Sequence, residues 1–451
     1  MSRNLPTIVE KLFVTLSLFF STTALIPVLL DSEEASSVPA DPYSPVLFMG
    51  IYAVTILLIV KHWKNFERVV LNDVWVWLLV GIAIASIFWT VAPDITPRRS
   101  FLLLGTSIFG IYFAMRFSLR EQLELLAYAC GLIVVLSFVF AVALPFYGVM
   151  SVQEGGIHAG SWRGVMTHKN ILGRVVVLSS LVFMFTAVAK PIVRNRYQWL
   201  FWVGYALSVA LIVLCTSKTA LISFLVLTIT FFLYRSWRAH YSYLIPFMIT
   251  VVLIVGSGAI LVLDNLNVIA SAVGRDLTLT GRTDIWAVML DKVAERPFIG
   301  YGFNAFWRDW NSELTAEVWR LLAWECPYGH NGVMDLLVEL GIPGLIAFMC
   351  SYIIALVKAI QLLRRTRNVE GMWHLMYLTY LLIYNVSEST LVATNSIFWI
   401  LYVSTAFSLS VNLQQSRSRE YVPLVSNHNL QQVYTSDDWI ELEASNEQNF
   451  S

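Results

Sequence analysis

The chain has 451 residues, of which 57% are hydrophobic and 13% charged, against about 45–50% and about 25% in soluble globular domains. That composition excludes an ordinary soluble enzyme, a disordered chain and a nucleic-acid module, and it leaves a polytopic membrane protein. Lys+Arg and Asp+Glu number 30 each, so a net charge of zero offers nothing to a polyanionic partner such as a nucleic acid.

A membrane helix needs about 20 apolar residues. Hydropathy predicts twelve spans: residues 12–30, 45–60, 74–92, 100–117, 125–148, 170–189, 199–215, 219–234, 243–263, 333–357, 373–390 and 391–411. No segment alternates with period two as a barrel would, and open sheet edges cannot face lipid, so the fold class is all-α membrane. The first span reads as a retained signal anchor, because no small-x-small site follows it and an acidic stretch, Asp31 to Asp41, comes next. With the N-terminus inside, the inner segments hold 18 of the 30 basic residues, which sets both termini in the cytoplasm. A membrane domain is expected over 1–411, with outer loops at about 149–169 and 264–332. The polar tail 412–451 reads as cytoplasmic and disordered. The four cysteines form no outside pair, so no disulfide framework is indicated.

In so apolar a chain, charged residues outside the topology-setting loops need a reason. Arg98 and Arg99 follow Pro93-Asp94 as a small basic patch. The loop 149–169 ends in a larger one, with Arg163, His168, Lys169 and Asn170, and Arg174 one turn later. Either patch could simply meet lipid headgroups. Lys218 breaks an apolar run, where it either snorkels to the surface or carries function. In the second loop, a short amphipathic helix is predicted over 283–295, ended by Pro297, with Gly300 and Gly302 supplying a tight turn. Arg282 at its start is either solvated or a guanidinium fork for phosphate. The loop closes on His330-Asn331, followed by Gly341-Ile342-Pro343-Gly344. His330 either caps the next helix or serves as a base near neutrality. Glu388, at a span edge in Asn385-Val386-Ser387-Glu388-Ser389, needs a basic partner.

These segments resemble the O-antigen ligase and O-antigen polymerase (Wzy-type) superfamily. The ligase-like region covers about 200–350: Gly-Arg-x3-Trp at 281–286, RPFIGYG at 296–302, and His330-Asn331-x9-Gly341-x-x-Gly344. FWTVAPDITPRRS at 88–100, GIHAGSWRGVMTHKNILG at 156–173 and NVSES at 385–389 resemble its ExoQ-like exopolysaccharide-polymerase branch. The resemblance implies a metal-independent, inverting glycosyltransferase of GT-C-like architecture in the bacterial inner membrane. It needs no cofactor, and its donor is a glycan on undecaprenyl pyrophosphate. The family's base would fall on His330 and its loop arginine on Arg282. Its second basic residue would fall on Lys218, where the ligases carry arginine. Arg163, Lys169, Asn331, Arg98 and Arg99 are candidate contacts to pyrophosphate or glycan, and Glu388 is a supporting acid. Besides membrane lipids, a chain-length regulator and a flippase of the same pathway are the implied partners.

The chemistry suits these residues. Inverting transfer needs one base, and a pyrophosphate leaving group needs cations rather than a general acid. Three functions remain open: a polymerase of lipid-linked repeat units, a ligase moving a finished glycan to lipid A-core or another acceptor, and a transporter or flippase. Asp31-Ser32-Glu33, in the loop where metal-dependent relatives keep an acidic pair, reads as part of an acidic linker.

Overall fold

The computed structural model describes residues 5–25, 43–152, 158–189, 197–237, 282–366 and 368–413. The acidic stretch Asp31 to Asp41, the expected span 243–263, the first part of the large loop and nearly all of the polar tail lie outside the described residues. Among the described residues the chain is helical, with one isolated antiparallel bridge between Val149 and Trp162. The helices are α1 (Leu5–Phe20), α2 (Tyr43–Lys61), α3 (Trp63–Val69), α4 (Val74–Ala85), α5 (Thr96–Arg116), α6 (Leu119–Ala143), α7 (Lys169–Val188), α8 (Trp199–Leu214) and α9 (Lys218–Trp237). Then follow α10 (Arg282–Glu295), α11 (Glu313–Leu322), α12 (Gly332–Arg365), α13 (Trp373–Asn385) and α14 (Ile397–Leu413). Among the described residues, α6, α7, α12 and the segment Lys218–Arg235 of α9 are each long and apolar enough to cross a membrane. A fifth such unit is the pair α2–α3, bent by 98° at His62. Val74–Phe88, Trp199–Leu214 and Ile397–Leu413 are shorter apolar helices. The chain is thus an all-helical, multi-pass membrane protein.

Two segments depart from the expected spans, each for a local reason. The first helix stops at Phe20 rather than near 30. Thr23 and Leu25 take left-handed φ values of 66° and 67°, and the Ser21 and Thr22 hydroxyls donate to the Ser17 and Phe19 carbonyls. The stretch 386–396 between α13 and α14 is not helical. Polar side chains pin it among the helices: Tyr52 Oη donates to Asn395 Oδ1 at 2.7 Å, and the Asn395 amide donates to Thr106 Oγ1 at 2.9 Å. Asn385 Oδ1 receives the Thr390 N–H at 2.8 Å. Glu388 therefore sits in an irregular segment held inside the bundle.

α13 lays Trp373, Tyr377, Tyr380 and Tyr384 along one buried face, at the three- and four-residue spacing of a helix. Successive rings lie 6.1, 6.3 and 5.5 Å apart. Tyr377 donates to the Phe398 carbonyl of α14, and Tyr380 donates to the Arg174 carbonyl of α7 at 2.8 Å. The column ties three helices together behind the candidate site.

The glycines of the two motifs meet. α12 breaks at Gly341, whose φ of 64° and ψ of −168° lie in a region open essentially to glycine alone. The RPFIGYG segment docks on that break. The Ile342 amide donates to the Pro297 carbonyl at 2.8 Å, Tyr301 N to Val338 O at 2.9 Å, and Gly302 N to Glu339 O at 2.9 Å. A Cβ on Gly341 would stand 2.6 Å from the Phe298 carbonyl group, and one on Gly300 would stand 2.4 Å from the Glu339 oxygen. Gly300 and Gly302, expected only to make a turn, thus also permit a close backbone approach. Gly341→Ala should destabilise the protein by about 1–3 kcal/mol from backbone strain, before the clash adds to it. An unchanged melting temperature in detergent would contradict this.

Candidate active site

The helix expected over 283–295 is present as α10. A separate apolar cluster of Ile285, Met289, Tyr301, Phe306, Val318, Trp319, Cys326 and Val338 packs α10 and α11 against α12. It fixes where Arg282 and the His330 turn stand. Cys326, which the sequence left without a role, is buried there and donates its thiol to the Tyr328 carbonyl at 3.0 Å.

The His330 turn is held from several sides. Asp335, one turn into α12, receives the Gly329 amide at 3.0 Å, Trp307 Nε1 at 2.7 Å and the Ser389 hydroxyl. Trp286 Nε1 donates to the Gly329 carbonyl at 2.9 Å. His330 itself sits at a left-handed φ of 50°. The helix cap is supplied by Asn331, whose Oδ1 receives the Val333 and Met334 amides at 3.0 and 3.2 Å. The His330 imidazole is therefore not spent on capping. The cap also gives the Asn331 oxygen a structural task.

The imidazole faces Glu388, which is buried, and stacks obliquely on Tyr328 with ring centroids 4.2 Å apart. His330 Nδ1 lies 3.9 Å from Glu388 Oε2, and Arg282 Nη2 lies 3.6 Å from Glu388 Oε1. Both separations exceed a hydrogen bond, and the Arg282 guanidinium is close enough to Glu388 for a charge interaction. Tyr328 Oη donates to Glu388 Oε2 at 2.9 Å. Glu388 thus has the basic partner that the sequence required without naming it. Burial, reinforced by the charges of Arg282 and His168, lowers the His330 pKa to about 4. The ring is therefore neutral at pH 7 and can accept a proton.

The α7 terminus approaches from another side. His168 caps α7 by receiving the Asn170 amide at 3.2 Å, and burial with neighbouring positive charge lowers its own pKa to about 4. Ser217 Oγ donates to Asn170 Oδ1 at 3.0 Å, which sets Lys218, exposed at the start of α9, beside this terminus. The structure therefore gathers His330, Arg282 and Glu388, with His168 within electrostatic reach and Lys169 and Lys218 on the adjoining terminus.

Other candidates are engaged elsewhere. Arg163 is buried, and its guanidinium donates to the Tyr147 and Phe146 carbonyls at 2.8 and 3.0 Å. Arg99 points to Thr394 Oγ1 at 3.4 Å, and Arg98 is exposed beside it. Among the described residues, no hydrogen bond or ion pair joins Arg98 or Arg99 to His330. Sequence reasoning left out Tyr328 as the Glu388 donor and Asp335 as the anchor of the turn. Their only signal was proximity in the chain to His330.

Among the described residues, four of the nine buried side-chain polar atoms that lack a hydrogen bond belong to this neighbourhood: Arg174 Nε, His330 Nδ1, Tyr384 Oη and Glu388 Oε1. Such atoms normally find partners, so their concentration marks a place made for something other than internal packing.

Residues 203–349 match the family described as O-antigen ligase. The segment includes Lys218, Arg282 and His330. The chain is also 25% identical to "Exopolysaccharide production protein ExoQ" of Rhizobium meliloti (strain 1021) over 341 residues, covering 73% of this chain and 75% of that protein. The chain is thus similar to the O-antigen ligase family over residues 203–349 and, over most of its length, to an exopolysaccharide production protein.

Proposed function

We propose that the chain is a glycosyltransferase that polymerises repeat units carried on undecaprenyl pyrophosphate, at the outer face of a bacterial inner membrane, in exopolysaccharide or O-antigen synthesis. In this reading it crosses the membrane twelve times with both termini in the cytoplasm. The large outer loop, 264–332, then brings Arg282 and His330 to the outer surface. Membrane lipids surround it, and a flippase and a chain-length regulator work beside it.

The observation that carries the reading is the convergence of a neutral, half-buried histidine with a carboxylate and a guanidinium fork at the mouth of α12. The acceptor hydroxyl would give its proton to His330. Its oxygen would attack the anomeric carbon from the face opposite the diphosphate, forming the new glycosidic bond with inverted configuration. The anomeric carbon–oxygen bond to phosphate would break, and the lipid diphosphate would leave with that electron pair. Arg282, with Lys218 nearby, would neutralise the leaving group, so no proton needs to be delivered to it. Glu388 would accept a hydrogen bond from Nδ1–H of the neutral ring, directing Nε2 at the acceptor and stabilising the imidazolium that forms. Closure of the 3.9 Å gap to hydrogen-bond length on donor binding fits the loose geometry common in unliganded sites.

Reconstitution with a defined lipid-linked repeat unit tests this reading. A ladder of longer lipid-linked glycans is expected, and its absence would overturn polymerase activity. A ligase reading draws support from the family description of residues 203–349. It predicts instead glycan of unchanged length on lipid A-core or another acceptor.

The pH profile is a second test. Activity is lost as pH falls far enough to protonate His330. Because burial holds that pKa near 4, the acid limb of kcat/KM, which reports the free enzyme, should lie below the ordinary histidine value of about 6.5. A limb at or above that value would count against His330 as a half-buried neutral base.

A further inference from the structure

One guanidinium in this region has no assigned task. Arg174 projects from α7 little more than a turn beyond the His168 cap. Its carbonyl is fixed by Tyr380, and its guanidinium carbon lies 5.5 Å from the centroid of the Phe398 ring. No described residue takes a hydrogen bond from the guanidinium, and its Nε is buried without a partner. Yet it is close enough to Glu388 to act on that carboxylate electrostatically.

An arginine pointed into a helical bundle is costly unless its donors are met. The Phe398 face offsets part of that cost, and Glu388 offers only one negative charge to both Arg174 and Arg282. The pair is therefore over-supplied with positive charge and with hydrogen-bond donors, a composition suited to a ligand carrying more than one negative charge and several acceptor oxygens.

We propose that Arg174 binds the diphosphate of the lipid donor, entering from α7 opposite the contribution of Arg282 from α10. In the free protein Arg282 lies 3.6 Å from Glu388, and Arg174 acts on the same carboxylate from farther off. When the diphosphate binds, both guanidinium groups turn to its oxygens, and Glu388 is left free to accept a hydrogen bond from His330 Nδ1–H. Donor binding and activation of the base are thereby coupled. This deepens the glycosyltransferase reading above and rests on it.

The test uses the full-length protein in detergent, with undecaprenyl pyrophosphate and undecaprenyl monophosphate as probes and thermal melting as the control for folding. Arg174→Gln should weaken pyrophosphate binding by about 10-fold or more, the effect of losing a charged hydrogen bond, and should weaken monophosphate binding less. Arg174→Lys keeps the charge without the fork and should fall between; it carries the test if the glutamine variant does not fold. Pyrophosphate affinity within about twofold of wild type in a folded variant would overturn the proposal. So would a loss of kcat with unchanged donor binding, since that is what a purely positioning role through Glu388 would give. Glycan transfer is measured in parallel. A wild type that binds pyrophosphate through Arg174 but transfers no glycan defeats the reaction and leaves the anion site standing. A wild type that transfers glycan while Arg174→Gln binds normally defeats the anion site alone.

Discussion

His330→Ala should reduce glycosyl transfer by about 10²–10⁴-fold, the range for loss of a positioned general base, while donor binding and the melting temperature stay near wild type. The structure gives the reason for the split. The turn is anchored by Asp335, Trp286 and Trp307, and α12 is capped by Asn331, so none of these contacts uses the imidazole. Initial rates with a lipid-linked repeat unit, alongside a donor-binding assay, check both halves. Product formation near the wild-type rate would remove His330 as the base.

Arg282→Ala should act on the donor instead. Losing a charged hydrogen bond to a phosphate oxygen weakens binding by about 10- to 150-fold, so KM for the lipid-linked donor should rise by that order. A stability cost accompanies it, because buried Glu388 loses the guanidinium 3.6 Å away. Breaking a fully buried ion pair from one side costs roughly 3–5 kcal/mol, and the partial exposure of Arg282 places this case below that range. Arg282→Lys should restore the charge and part of the stability without the bidentate grip. Donor affinity unchanged in Arg282→Ala would count against its role.

Much of this was legible in the sequence, because the signals were local. Hydropathy marked the helices, and Pro297 and Glu295 bounded α10 closely. The scarcity of charge drew attention to His330, Arg282 and Glu388 one at a time. Their meeting was not legible, since Glu388 follows His330 by more than fifty residues and nothing in its own segment names a partner. The stretch 386–396 was divided between the expected spans 373–390 and 391–411. Its departure from helix depends on Tyr52, Thr106 and Asn385, which act from other helices. Arg163 stood out by composition, but its hydrogen bonds from Nε and Nη2 to the carbonyls of 147 and 146 are visible only in three dimensions. Gly341 was correctly singled out as part of a motif, but the partner that demands it, the Phe298 backbone, is visible only in three dimensions.

The placement of Glu388 has a consequence for how portable this chemistry is. The segment 282–331 could be cut out with most of the apolar cluster around α10 and α11, and it would carry Arg282 and His330 away. It would leave behind the carboxylate, hooked among the helices by Asn395 and Asn385, and with it Arg174 and Lys218. On the proposed mechanism, the segment 282–331 made as a water-soluble fragment should therefore transfer no glycan, because the groups that complete the site stay with the helices.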